Sequence, residues 1–130
     1  MKSVLLFILL ISFSLSQKID LKVLDHGKRG NEYRIWIYFK DKAGSELINI
    51  TQEAQQRRQK HATKIDNTWY DLKVAPDYIN AIRLLGLKVE NESRWLNAIS
   101  VICSENDLDS IAMLPFVKKI EPVKRYKKKH

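Results

Sequence analysis

The sequence predicts an α+β domain: a βαββαβ chain that folds into a four-stranded antiparallel sheet with two helices on one face, plus an inserted short helix. Three observations lead there. Residues 32–40 read EYRIWIYFK, a strict alternation with period two. Residues 75–86 and 104–112 place apolar side chains at helical spacing between a start signal and a stop. Apolar runs with strand character, residues 87–92, 95–102 and 116–123, surround the second of these helices.

Taken from the start, residues 1–16 hold Lys2, an unbroken apolar run from Val4 to Ile11, and small Ser14 and Ser16 before Gln17. That is the pattern of a secretory signal cleaved after Ser16, which sends the chain to the periplasm or the exterior. The run falls short of the roughly 20 residues that cross a bilayer. Residues 17–31 are polar with weak alternation at Ile19, Leu21 and Val23, broken by Gly27 and Gly30, and read as a loose leader. The α+β domain then occupies residues 32–123, and residues 124–130 form a basic tail.

In the first strand Tyr33, Ile35, Ile37 and Phe39 make a core face, against Arg34, Trp36, Tyr38 and Lys40 on the other. Trp36 and Tyr38 are large enough to need cover, from a partner or from another part of the chain. Gly44 and Ser45 turn the chain. Thr51 then precedes QEAQQRRQKH, rich in helix formers and almost without an apolar face, so an exposed short helix is expected. Its Arg57-Arg58 pair suits a solvated face, a dibasic processing site or an anion contact. Residues 62–73 look irregular, with Trp69, Tyr70 and Leu72 pinning a long connection to the core. Asn49-Ile50-Thr51 and Asn91-Glu92-Ser93 match the glycosylation sequon.

The second helix starts at Ala75-Pro76, where proline's missing N–H costs nothing, with Asp77 placed for the helix dipole. Tyr78, Ile79, Ile82 and Leu85 form its buried stripe and Gly86 stops it. Leu87 and Val89 point inward from the next strand. After a turn at Asn91 to Ser93, Trp95, Asn97, Ile99 and Val101 alternate with Leu96, Ala98, Ser100 and Ile102. Apolar side chains on both faces suit a central strand. Ser104 and Asp107 form a capping box for a helix whose apolar face is Leu108, Ile111 and Ala112. Pro115 ends that helix, and the chain returns as the last strand. Without the inserted helix this is the split arrangement of ferredoxin-like folds.

Charge is unevenly placed. The chain carries a net +8, but Lys2 goes with the signal and five cations crowd into Lys124, Arg125, Lys127, Lys128 and Lys129, which leaves the body close to neutral. A nucleic-acid surface spread over the fold is therefore disfavoured. Cys103 is the single cysteine, so no internal disulfide forms, and its place after an apolar strand suits a buried thiol. The three histidines are scattered, no Ser, His and acid set has recognisable spacing, and no metal-ligand or cofactor motif is present.

Residues 71–126 carry a long ordered set of short motifs: Asp71-Leu72, Val74 before Pro76, Tyr78-Ile79, Leu84-Leu85-Gly86-Leu87-Lys88-Val89, Ser93-Arg94-Trp95-Leu96-Asn97-Ala98, Leu114-Pro115-Phe116-Val117 and Ile120-Glu121-Pro122-Val123. In these the chain resembles the N-terminal propeptide of secreted subtilisin-like serine proteases, which chaperones the folding of its own catalytic domain and inhibits it. Residues 33–42 and Arg57-Arg58 fit as well. Lys73 departs from the pattern, standing where such propeptides often have proline. None of the three catalytic motifs of a subtilisin-like domain occurs in the chain, and Asp25-His26-Gly27 is a chance echo of one. The chain is thus not expected to be an enzyme, although a full-length precursor would be a serine endopeptidase.

The resemblance implies a partner: a subtilisin-like catalytic domain, in cis or in trans, with no role for nucleic acid, for a membrane after signal cleavage, or for a cofactor. It implies that the open sheet face packs on the protease while the C-terminal extension enters the active-site cleft as a product-like strand. Carried onto this sequence, the sheet-face candidates are Arg34, Trp36, Tyr38, Trp95, Asn97 and Ile99. The cleft candidates are Glu121, Pro122, Val123, Lys124, Arg125 and Tyr126. Two other readings share parts of this evidence: a truncated precursor fragment with no activity of its own, and an unrelated ferredoxin-like binding module.

Overall fold

The computed structural model describes Ile19 and residues 24–60 and 68–125. The signal read at residues 1–16 and the cleft candidate Tyr126 lie outside them. The elements are β1 (Lys28–Arg29), β2 (Glu32–Phe39), α1 (Gln52–Lys60), α2 (Thr68–Asp71), α3 (Pro76–Leu84), β3 (Val89–Ser93), β4 (Ala98–Cys103), α4 (Glu105–Ala112) and β5 (Val117–Pro122). The fold is α+β with a five-stranded antiparallel sheet. β4 pairs with one edge of β2, and β3 with the far edge of β4. β5 and the two-residue β1 follow one another along the other edge of β2.

The expected sheet had four strands; the fifth, β1, comes from the segment read as a loose leader. Weak alternation hid its attachment. Leu24 is buried in the core, Asp25–Gly27 form a 3₁₀ turn, and Ile19 bridges Ile120 on β5 in parallel. Gly27 is why the turn can sit so close: a Cβ there would lie 2.5 Å from the Arg34 carbonyl oxygen and 3.0 Å from Pro122 Cβ.

β2 alternates as its sequence demands, with Tyr33, Ile35, Ile37 and Phe39 all buried. Across from them on the same face stand Cys103, Val101 and Ile99 of β4 and Pro122, Ile120 and Val117 of β5. Ile79 and Ile82 of α3 and Leu108, Ile111 and Ala112 of α4 complete this core. Each fully buried aliphatic side chain contributes about 1.5–3 kcal/mol of transfer free energy. At the Phe39 end, Tyr78 stacks on Phe116 with ring centroids 4.4 Å apart, Phe39 tilts against both, and the Tyr78 hydroxyl donates to Asp41 Oδ1 at 2.6 Å.

The helix signals act as read. Ser104 Oγ accepts from the Asp107 N–H while the Asp107 carboxylate accepts from the Ser104 N–H, a complete capping box on α4. α3 has Pro76 in its first turn, and Gly86 at φ +83° stops it. Leu85, expected inward, is instead exposed, because the helix has already ended at Leu84. α1 buries nothing, as its composition predicts.

The connection after α1 is pinned differently from the expectation. Trp69 and Tyr70 are exposed. The pins are polar: Arg58 of α1 makes a two-pronged ion pair with Asp71 at 2.6 and 2.9 Å, and Leu72 bridges Leu47. Lys42 is buried and its ammonium donates to three backbone carbonyls, Trp69 at 2.7 Å, Leu72 at 2.9 Å and Arg94 at 2.8 Å. One lysine thus ties the end of β2 to α2 and to the β3–β4 turn. Among the described residues, no helix is long and apolar enough to cross a membrane.

Candidate functional site

The helices cover one face of the sheet, and the register says what the other presents. Arg34, Trp36 and Tyr38 of β2 stand across from Ile102, Ser100 and Ala98 of β4, and Trp36 and Tyr38 stand across from Glu121 and Lys119 of β5. Asn91 and Ser93 extend the face onto β3. Its centre is aromatic and its rim charged. Arg34 pairs with Glu90 at 3.1 Å and Lys119 with Glu121 at 2.7 Å, while the Lys119 ammonium lies 4.5 Å from the centroid of the Tyr38 ring. Asn91 donates to Ser100 Oγ at 3.1 Å, which satisfies the one polar side chain buried under this face.

These neighbours tune the titratable groups. Partial burial, then the Glu121 carboxylate beside it, pushes the Tyr38 phenol up to about 12, so it stays a neutral hydrogen-bond donor. The Lys119 ammonium, against some desolvation, holds Glu121 below the usual carboxylate range, with Tyr38 helping. Among the described residues no group of three or more His, Cys, Asp or Glu side chains is placed to hold a metal ion. The face consists of aromatic side chains ringed by charges that already have partners.

Three of the six sheet-face candidates, Arg34, Trp36 and Tyr38, lie together on this face. Trp95, Asn97 and Ile99 do not join them. Ile99 faces Ile37 on the core side and is fully buried. The strand begins only at Ala98, because Arg94 to Asn97 make the β3–β4 turn, with Asn97 at φ +51°. Asn97 is buried there, and its amide donates to the Phe39 and Asp41 carbonyls at 3.2 and 2.9 Å. Trp95 stands at the tip of the turn, 62% exposed, its ring 5.1 Å from that of Tyr70. In place of Ile99, the open face takes Ser100, Ile102 and Lys119. Ser100 was the available signal: one polar residue inside Ile99-Ser100-Val101 marks the side away from the core.

The C-terminal candidates also divide. Glu121 and Pro122 belong to β5 rather than to a free extension, and Pro122 is buried across from Ile35. The Val123 N–H donates to the Arg34 carbonyl at 2.9 Å and so ties the exit of β5 to β2. Lys124 and Arg125 follow, exposed and outside any regular element.

The family model for the Peptidase S8 propeptide domain of Bacteroidota matches residues 34–130. No curated protein and no solved structure matches the chain. The match begins in β2 and takes in every later element, the open face and the segment beyond Val123 included. Since it spans well over half of the sequence, the chain belongs to the Peptidase S8 propeptide domain family.

Proposed function

We propose that this chain is an inhibitor and folding chaperone of a subtilisin-like serine protease, binding the catalytic domain through its open sheet face and its C-terminal segment. The observation that carries the reading is the pairing of two features in a member of this propeptide family. An aromatic-centred face, Arg34, Trp36 and Tyr38 with Ser100 and Ile102, is left uncovered by the chain's own helices. The strand that borders it, β5, releases an exposed segment at Lys124.

The physical logic is recognition by strand addition. An extended segment gains main-chain hydrogen bonds in the enzyme's cleft, and alternate side chains from Lys124 onward fill its pockets. Being the end of a folded domain, the segment is held in place by the sheet-face contact. That contact lowers the entropic cost of docking a short peptide. The four longer strands, in the order β5–β2–β4–β3 and all antiparallel, support a ferredoxin-like βαββαβ frame to which β1 is an addition. Export through a signal cleaved after Ser16 completes the reading, and N-terminal sequencing of the exported chain checks it.

The chain, added in trans to a peptidase S8 catalytic domain of the Bacteroidota, is expected to give saturable competitive inhibition and to raise the yield of active enzyme on refolding. If neither effect appears against a panel of such domains, while the chain itself is folded, the fragment reading replaces this one.

A further inference from the structure

We propose that the cleft between the 3₁₀ turn and the segment leaving β5 is an oxyanion-binding site, taking a carboxylate or a phosphate. His26, Arg29, Lys124 and Arg125 line a space of about 370 Å³. This goes beyond the protease reading and does not rest on it, since the site belongs to the free chain.

The cleft gathers cations, with the Glu121 carboxylate acting on Lys124 from β5. None of the four side chains makes a salt bridge among the described residues. Arg125 and Arg34 sit close enough to Arg29 to disfavour its charge, adding to the effect of desolvation. Like charges converge here although surface lysines and arginines are free to swing apart.

Arg29 is also held ready for a ligand. One end of its guanidinium, Nη1, donates to the carbonyls of His26 at 3.2 Å and Lys28 at 2.9 Å. Its Nε is buried and has no hydrogen-bond partner among the described residues. A desolvated donor gains from an acceptor, and an oxyanion in the cleft would supply one. The Nε–Nη2 edge of a guanidinium is the edge that two oxygens of a carboxylate or phosphate take side-on. With Arg29 fixed at its other end by two carbonyls, such a ligand meets a fork that is already oriented. Lys124 and Arg125, which line the same cleft, add their charges to the site. A bound oxyanion would cross-link the 3₁₀ turn to the segment that leaves β5.

The test is a titration of the full isotope-labelled chain with inorganic phosphate and, separately, with acetate, each against sodium chloride at matched ionic strength, followed by amide chemical shifts. Saturable shifts at Arg29, Lys124 and Arg125 are expected, weakened about tenfold or more in Arg29→Gln and less in Arg29→Lys, which keeps the charge but loses the fork. Arg125→Gln, a change at an exposed residue outside any regular element, is expected to weaken binding without touching the fold. Saturation by phosphate alone points to a phosphate group as the ligand, and saturation by acetate as well to a carboxylate side chain of a partner. Shifts that stay linear, that chloride reproduces, or that survive both Arg29→Gln and Arg125→Gln overturn the proposal.

Discussion

Trp36 of β2 stands directly across from Ser100 of β4, on the face that the helices leave open. The small hydroxyl side chain leaves the indole room over the centre of the sheet, and Asn91 satisfies the hydroxyl from the next strand. A tryptophan supported in this way, with Tyr38 two residues on, has the character of an interface anchor. Trp36→Ala combined with Tyr38→Ala is expected to weaken inhibition of a cognate catalytic domain about thirtyfold, the size of a 2 kcal/mol loss. Circular dichroism of the free chain should be unchanged, because both side chains point away from the core. Unaltered inhibition by the folded double variant would remove the sheet face from the binding surface.

Ile99→Ala separates the two faces of the same strand. The side chain is fully buried among Ile37 and its neighbours, so truncation is expected to cost about 2–5 kcal/mol of stability, read as a lower urea midpoint. At temperatures where the variant remains folded, its inhibition should match that of the unaltered chain.

What the sequence made legible follows from the range of each interaction. The alternation of β2, the Ser104–Asp107 box and the Pro76 to Gly86 limits of α3 are local, and each is found where it was read. The face of β4 was misread because apolar side chains on both sides erase the alternation, and a turn ending in a left-handed Asn97 delays the strand to Ala98. Leu24 and β1 were missed because two residues of pairing leave no periodic trace. Lys42 gave no signal at all. Its partners are carbonyls 27 to 52 residues away, and a carbonyl belongs to every residue type.

Lys42 is the residue whose loss should be felt furthest. Its ammonium is buried against three carbonyls and lies 4.8 Å from the centroid of the Trp69 ring. Burial, and then the charge of Arg94, lower its pKa, while Asp71 partly restores it. Lys42→Met keeps the straight stem but leaves the carbonyls without their donor. A loss on the order of 3 kcal/mol is expected, with a shift in tryptophan emission as α2 loosens from the β3–β4 turn. A urea midpoint equal to that of the unaltered chain would show that water replaces the ammonium at little cost.

The Arg58 ion pair holds the Asp71 carboxyl below its ordinary value, against the burial that would raise it, with Arg94 and Lys42 adding to the effect. In the unfolded chain this carboxyl takes its proton near pH 4, before the folded one does. Its stabilisation is therefore complete above about pH 4 and is lost as the pH falls through the lower, folded value. Asp71→Asn should reduce stability at neutral pH and flatten part of the acid limb of a stability–pH curve. The rest of that limb stays, since Asp41, held low by Tyr78, and Glu121, held low by Lys119, titrate in the same direction.

Cys103 ends β4 on the core side, and burial pushes its thiol up to about 12, with the charges of Asp107 and Glu32 adding to it. The reactive thiolate is then scarce at pH 8 as well as inaccessible. A thiol reagent is expected to label the native chain only through opening of the sheet, at a rate that rises with urea in step with unfolding. Fast labelling of the folded chain without urea would mean that the end of β4 opens on its own.

Gly27 decides how the start of the fold is joined to its end. An added methyl group would sit 2.5 Å from the Arg34 carbonyl oxygen, too close to be absorbed without moving backbone, and 3.0 Å from Pro122. That same carbonyl accepts the Val123 N–H at 2.9 Å, so a shift of the turn acts on the point where the chain leaves the sheet. Gly27→Ala is expected to cost about 1–3 kcal/mol through overpacking. Amide exchange should locate the damage, with Val123 and Arg29 exchanging faster while the amides of β4 keep their protection. Uniform acceleration across the sheet would instead mean that the turn and β5 unfold only together with the whole domain.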